Sequence, residues 1–147
     1  MKKGWIFISL FMCLHVWAQT EADRIIGVWL SQDKDGKIEI YKTASNTYCG
    51  KIVWSKRGFY EADGKTLRTD VNNPNAALQH RPIKHMVILT DFVYEDGQWE
   101  AGKIYDPKSG KTYSCQMKME QGNLHIRGYI GISLIGKTTR WTRSSMP

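Results

Sequence analysis

The chain has 147 residues, which suits one domain with its own core and is too short for two ordinary domains. Hydrophobic residues make up 41% and charged residues 24%, which argues against a disordered, collagen-like or coiled-coil chain, and an aromatic content of 12% favours β structure. The formal charge is +7, but lysine and arginine mostly occur singly, so nucleic acid is not a predicted partner. We interpret the charge as a solvated outer face that suits an anionic envelope surface.

Residues 1–18 are predicted to be a secretory signal peptide. Two lysines follow the initial methionine, residues 5–17 are almost entirely apolar, and Val16 and Ala18 occupy the −3 and −1 positions of a cleavage site. A membrane anchor is disfavoured because this apolar stretch is shorter than the roughly twenty residues that a bilayer span requires. We therefore expect secretion across the inner membrane and a periplasmic mature chain, residues 19–147, with no membrane span.

The cysteines leave one question open. A lipoprotein signal is disfavoured because Met12, rather than a very small residue, precedes Cys13. The mature chain keeps Cys49 and Cys115, an even number that could form a disulfide in an oxidising compartment. Strand alternation assigns the two side chains to opposite faces, which would prevent a bond without a bulge or register change.

Beyond the signal, short β-prone runs alternate with turn residues, as in a β-meander. The Asp35-Gly36 and Asp96-Gly97 pairs are predicted to supply the positive φ angles of two hairpin turns. About eight strands are predicted, at residues 24–30, 38–42, 48–54, 85–94, 99–105, 111–119, 124–129 and 138–143.

The sixth predicted strand has the clearest two-residue alternation. Its inward residues are predicted to be Tyr113, Cys115, Met117 and Met119, with polar or charged residues between them on a solvated face.

Residues 56–84 form the longest connection between predicted strands. Asn73 is a candidate cap for one short helix that begins at Pro74, and Arg81-Pro82 would end it. The connection is interpreted either as plain surface packing or as a binding loop.

Eight antiparallel strands without a helix long enough to cover a sheet require a closed barrel or a sandwich. The Gly27-Val28-Trp29 string near the mature start and a late arginine, Arg140 or Arg143, resemble the arrangement of lipocalin-like (calycin) barrels. This resemblance implies an up-and-down barrel in which Trp29 closes one end and the arginine packs across its indole ring. A cation over an indole face is stabilising by roughly 0.5 to 2 kcal/mol.

Several longer strings of residues give a more specific family resemblance than the Gly-x-Trp string does. Residues 48–54 (YCGKIVW), 70–74 (DVNNP), 102–113 (GKIYDPKSGKTY) and 127–131 (RGYIG), with 141–143 (WTR), resemble domain of unknown function family 2147. This resemblance implies a secreted bacterial protein with a lipocalin-like barrel. The family carries no established activity, so the resemblance implies none.

No catalytic residue, metal site or cofactor is predicted. The sequence has no Gly-x-Ser-x-Gly string, and after residue 18 its only histidines are His80, His85 and His125. Neither histidine nor cysteine occurs at zinc-ligand spacing, and the Asp33 to Gly36 turn lacks the later ligands of a calcium loop. An enzyme is therefore disfavoured, although the residues leave the question open.

The apolar residues predicted to face the barrel interior favour a small apolar or amphipathic, lipid-like ligand. The alternative is a non-catalytic envelope interaction or structural protein whose barrel is filled by side chains, because small barrels take either form. Within the ligand hypothesis, Lys103, Tyr105 and Arg127 are the first candidates for binding an acidic head group. The complete set of predicted ligand-binding residues is Trp54, Lys103, Tyr105, Tyr113, Met117, Arg127 and Tyr129.

Overall fold

The computed structural model describes residues 20–132 and 134–147, so the predicted signal peptide, residues 1–18, lies outside the described residues. Eight antiparallel strands form a closed barrel in which each strand pairs with its neighbours in sequence and β8 pairs with β1. The strands are β1 Gly27–Leu30, β2 Gly36–Lys42, β3 Tyr48–Ser55, β4 Val87–Glu95, β5 Gln98–Asp106, β6 Lys111–Glu120, β7 Asn123–Tyr129 and β8 Gly136–Ser144. The predicted all-β, up-and-down barrel is confirmed.

The up-and-down order places alternate connections at opposite ends of the barrel. We define the closed end as residues 20–26, 43–47, 96–97, 121–122 and 145–147. The open end consists of the other four connections, residues 31–35, 56–86, 107–110 and 130–135. The long connection between β3 and β4 therefore lies at the open end.

The first strand begins later than predicted, because residues Glu21–Ile25 form a 3₁₀ helix instead. The Thr20 side chain caps this helix by accepting a hydrogen bond from the Asp23 backbone N–H at 3.3 Å. The backbone carbonyls of residues 24–26 are hydrogen-bonded to side chains of β1 and β8, as described below, and are not part of the sheet. Ile25 is completely buried and plugs the closed end.

One of the two predicted Asp-Gly turns has the expected geometry. Asp96 and Gly97 have φ angles of 47° and 84°, as a tight hairpin between β4 and β5 requires. The prediction for Asp35-Gly36 is wrong: the positive φ belongs to Lys34, and Gly36 already begins β2. The reason is the Ser31 hydroxyl, which accepts hydrogen bonds from the Asp35 and Gly36 backbone N–H groups at 3.1 Å.

A bulge in β5 reverses the inward and outward alternation of that strand. Ala101 has a φ of 56°, and the pairing with β6 shifts register between Trp99 and Gly102, both of which are buried. The inward row after the bulge is therefore Gly102 and Ile104, whereas Lys103 lies on the outer face. Simple alternation from Trp99 would give the opposite result.

The 56–86 connection contains the short helix that was expected, but with a different start. A 3₁₀ helix spans Ala76–Leu78, and its cap is Asn75, whose side chain accepts from the Ala77 backbone N–H at 3.1 Å. Asn73 was the predicted cap, and that prediction is wrong because Asn73 is buried and holds the loop together instead.

The half of the barrel next to the closed end is filled with side chains. The predicted alternation in β6 is borne out by burial, since Cys115 and Met117 are fully buried and Ser114, Gln116 and Lys118 are not. Tyr48 and Trp99 pack edge to face with ring centroids 6.4 Å apart. Large fully buried side chains in this cluster include Trp29, Trp99, Tyr48, Phe92, Leu124 and Met117.

Among the described residues, Cys49 and Cys115 are free thiols, so the disulfide that the sequence left open is not formed. Cys115 lies in the barrel interior, where burial raises the pKa of its thiol to about 12. Cys49 lies between the two buried positions Tyr48 and Gly50 of β3 and pairs with Tyr41 in β2. The alternation in β3 and β6 thus places the two thiols on opposite faces.

Candidate functional site

The closed end is sealed by an arginine stacked on a tryptophan. The guanidinium carbon of Arg143 lies 4.1 Å from the ring centroid of Trp29, which has no exposed surface. Arg143 also donates to the backbone carbonyl oxygens of Ile26 at 2.7 Å and Arg24 at 2.6 Å. The Trp29 indole N–H donates to the carbonyl of Ile25 at 2.8 Å. The arginine and tryptophan together hold the 3₁₀ helix Glu21–Ile25, which we call the 3₁₀ plug, against the barrel.

Gly27 leaves the space that this arginine occupies. A Cβ at this position would lie 2.6 Å from a terminal nitrogen of Arg143, and the φ of 131° is one that L side chains rarely adopt. Arg140, the other predicted closure residue, lies elsewhere. It is exposed, and its backbone N–H donates to the Gln32 side-chain oxygen at 2.9 Å.

A second group of polar contacts fixes the plug from the opposite wall. The Tyr48 hydroxyl donates to Asp23 at 2.6 Å, Lys42 lies 3.1 Å from the same carboxylate, and the Trp99 indole N–H donates to the Ala22 carbonyl at 3.1 Å. The hydrogen bonds from Tyr48 and Lys42 lower the pKa of Asp23, and burial together with the same carboxylate raises the pKa of Tyr48. These contacts leave the other end as the entrance to the interior.

The open half of the barrel contains a cavity of about 1150 Å³. Its wall is largely isoleucine and aromatic side chains from seven of the strands and from the long connection. These apolar lining residues are Ile38, Ile52, Ile83, Ile88, Ile104, Ile126, Trp54, Trp141 and Tyr113.

Eight charged side chains line the cavity, and four of them form two ion pairs. Lys108 forms an ion pair with Asp35 that joins two of the open-end connections, and Arg68 pairs with Glu61 at 3.4 Å. The lining cations that remain are Arg57 and Lys137, and neither forms an ion pair within the part of the chain that the structure describes. The lining acids Asp33 and Asp106 also lie outside these two ion pairs, so the lining offers two cations and two acids for contact with a ligand.

A buried carboxylate holds the long connection beside the mouth. Asp70 has no exposed surface and accepts hydrogen bonds from the Tyr105 hydroxyl at 2.7 Å, the Asn73 amide at 2.8 Å and the Arg81 guanidinium at 2.9 Å. The same guanidinium lies 5.2 Å from the Tyr105 ring centroid. Burial and the hydrogen bond to Asp70 raise the pKa of the Tyr105 phenol.

A glycine and an asparagine attach this connection to the next turn. The Asn72 amide donates to the backbone carbonyls of Pro107 at 3.1 Å and Lys108 at 3.0 Å. Gly110 has a φ of 69°, and a Cβ there would lie 1.9 Å from the Asn72 carbonyl oxygen. The close approach of the two loops therefore requires glycine at position 110. Residues 70–81, which we call the strap, form a fixed part of the rim.

The predicted ligand-binding residues are only partly brought together. Trp54, Tyr105, Tyr113 and Tyr129 line the cavity. Met117 does not, because it lies in the filled half with no exposed surface.

The proposed head-group trio is not assembled around the cavity. Lys103 borders a separate depression of about 290 Å³ on the outer face, as a consequence of the β5 bulge. Arg127 is also outside the cavity, and donates to the Thr138 hydroxyl at 2.9 Å and the Leu134 carbonyl at 3.2 Å. Of the three residues, Tyr105 alone is in the cavity lining.

The sequence reasoning missed Arg57, Lys137 and the role of Asp70. Lys137 could have been found, because it shares two-residue spacing with Thr139, Trp141 and Arg143 on the inner face of β8. Arg57 lies in an irregular connection and gives no comparable signal. Asp70 lies in the DVNNP string. Its role could not be predicted from that string, because its buried hydrogen bonds depend on residues that are distant in the sequence.

Two structural findings bear on other classes of site. Within the described residues, no group of three or more histidine, cysteine, aspartate and glutamate side chains could hold a metal ion. No helix of the described chain is both long enough and apolar enough to cross a membrane.

A closed eight-stranded barrel, sealed at one end by a Trp–Arg pair and hollow at the other, defines a lipocalin-like protein. A family model described as an uncharacterized protein conserved in bacteria, domain of unknown function 2147, matches residues 27–143. The chain belongs to this family.

A solved structure has a similar fold. Protein HP1028 from the human pathogen Helicobacter pylori, described as belonging to the lipocalin family, matches with a TM-score of 0.69 and 24% identity. The match covers 82% of this chain and 83% of that one. No curated protein sequence matches this chain at a significant level.

Proposed function

We propose that the protein binds one small amphipathic, lipid-like molecule in the open half of its barrel. The observation that carries this proposal is the apolar cavity of about 1150 Å³. Ligand pockets typically enclose roughly 300 to 1,000 Å³ and combine an apolar wall with a few polar groups, so the cavity is large enough for a small lipid.

The distribution of polarity supports an acidic head group at the mouth and an apolar body inside. Lys137 and Trp141 lie on the same face of β8, four residues apart, which corresponds to roughly 13 Å along a strand. Lys137 is exposed at the rim, whereas Trp141 is buried in the wall. Arg57 adds a second cation at the rim. A carboxylate or phosphate could bind at either cation while its hydrocarbon contacts the isoleucines.

The alternative, a structural protein with a filled barrel, has less support. Side chains fill the barrel up to Met117 and Leu124, and the apolar residues beyond them face open space. A protein without a ligand would gain stability by filling that space, because interiors normally pack at high density. The hollow half therefore favours binding over a purely structural role.

A matched pair of tryptophan variants tests the proposed site. A Cβ at Gly128 would lie 3.6 Å from the Ile104 side chain and 3.7 Å from the Tyr113 side chain, both ordinary contacts, and the position lines the cavity. Gly128→Trp is expected to abolish binding of a fluorescent fatty acid, with little change in melting temperature. Met117→Trp is the control: it should overpack the filled half at a cost of about 1 to 3 kcal/mol and leave binding intact.

The same titration tests the head-group assignment. Arg57→Gln with Lys137→Gln is expected to weaken a fatty acid about tenfold and to leave the corresponding fatty alcohol unchanged. Lys103→Gln on the outer face should change neither affinity. Wild-type protein that binds no fatty acid, fatty alcohol or phospholipid would contradict the binding proposal, whereas equal affinities for acid and alcohol would contradict only the head-group assignment.

We also propose that the protein is secreted and periplasmic, on the basis of the apolar residues 5–17 and the small residue at Ala18. The mature chain is expected to begin at Gln19. Intact-mass measurement of protein purified from its own cells tests this expectation. A chain that retains Met1, or one that carries a lipid on Cys13, would contradict it.

A further inference from the structure

The connection between β7 and β8 exposes an unusual group of aliphatic side chains. The exposed fractions are 73% for Ile130, 59% for Ile132, 84% for Leu134 and 72% for Ile135. Ser133, between them, lies outside the described residues. Isolated exposed aliphatic residues are common on soluble proteins, but four within six residues form a continuous apolar tip, which usually marks a contact surface.

Hydrogen bonds and cavity contacts locate the described residues of this tip. The Ile135 backbone N–H donates to the Ile132 carbonyl at 3.2 Å, and Arg127 donates to the Leu134 carbonyl from the outer face of β7. Ile130 and Ile135 also line the mouth of the cavity. The apolar tip is therefore continuous with the apolar interior.

The charges of the barrel are unevenly divided between its ends. The open-end connections contain eight lysine and arginine residues against five aspartate and glutamate residues. The closed-end connections contain one arginine against three acidic residues. The end that carries the aliphatic tip is thus the positively charged end, and positive charge attracts anionic lipid surfaces.

We propose that the exposed side chains of Ile130, Ile132, Leu134 and Ile135 insert into the interface of an anionic lipid bilayer, so that the cavity mouth faces the membrane. Aliphatic side chains next to basic ones are the combination that interfacial membrane binding requires. A protein partner fits less well, because protein-binding hot spots are enriched in tryptophan, tyrosine and arginine, whereas the tip between Ile130 and Ile135 has none of these. This inference goes beyond ligand binding, since an empty barrel could dock in the same way.

Vesicle co-sedimentation tests the docking. The protein is purified and its mass is measured, so that chains that retain the apolar residues 1–18 are excluded. Wild-type protein is expected to bind vesicles of phosphatidylcholine mixed with phosphatidylglycerol, and to bind phosphatidylcholine vesicles more weakly. Ile132→Ser with Leu134→Ser should reduce binding by more than about tenfold, because both side chains would otherwise enter the interface.

The control replaces exposed apolar residues away from the mouth. Val93→Ser with Met146→Ser removes side chains that are 46% and 57% exposed and should leave vesicle binding unchanged. Circular dichroism checks that every variant is folded, and fatty-acid binding, measured separately, distinguishes failure of docking from failure of the cavity proposal.

Several outcomes would overturn the docking proposal. The proposal fails if the wild-type protein binds neither kind of vesicle. It also fails if the tip variant binds vesicles as strongly as the wild type does. A tip variant that loses self-association in sedimentation, without any vesicle binding by the wild type, would show that a second copy covers the tip.

Discussion

Trp29→Ala is expected to lower the free energy of unfolding by about 3 to 5 kcal/mol. The indole is fully buried, donates to the Ile25 carbonyl and supports the Arg143 guanidinium on its face. Its removal would create a cavity and also weaken the attachment of the 3₁₀ plug. Urea unfolding followed by circular dichroism measures the change.

Trp54→Ala provides the comparison for this prediction. Trp54 is only partly buried and lies in the cavity wall, so its loss enlarges an existing space and should cost less than Trp29→Ala. A loss below about 1 kcal/mol for Trp29→Ala would mean that the closed end does not depend on the Trp–Arg pair.

The second large effect is expected at Asp70. Asp70→Ala should destabilise the protein by about 2 to 4 kcal/mol, because the change leaves the Tyr105 hydroxyl and Arg81 without their buried acceptor. The Arg81 side chain is 36% exposed and can regain water, so the loss should stay below that of a fully buried ion pair. Urea unfolding measures this loss, and hydrogen exchange should show faster opening of the strap, residues 70–81.

Asp63→Ala is the matched control, since Asp63 is in the same connection and its hydrogen bonds are confined to its own turn. We expect no faster exchange in the strap for this variant. Strap protection that is equal in Asp70→Ala and wild type would show that the carboxylate network does not hold the rim.

The sequence was most informative where local patterns alone determine the structure. The two-residue alternation of β6 predicted which of its residues are buried, and the resemblance of the Gly27 to Trp29 string to calycin barrels predicted the closed end. The same alternation could have selected Arg143 over Arg140, because Arg143 shares the inward face of Trp141. The choice of inward residues depends on spacing along one strand, which the sequence records directly.

Other features depend on contacts between distant residues. The bulge in β5 places alanine, a residue without a turn preference, at positive φ, so the outward position of Lys103 had no sequence signal. Similarly, the hydrogen bonds that Ser31 accepts from Asp35 and Gly36 accompany a turn in which Lys34, and not the Asp35-Gly36 pair, has the positive φ. The sequence also could not predict the cavity, because an apolar inner face has the same sequence pattern whether it borders open space or contacts the opposite wall.

Native mass spectrometry of the protein, purified from its own cells without detergent or denaturant, tests the central claim most directly. The account predicts a species heavier than the mature chain by the mass of one small organic molecule, which organic solvent extracts and which Gly128→Trp excludes. Protein found only at its bare mass, and unable to take up added fatty acid or phospholipid, would contradict the claim that the barrel is a binding protein.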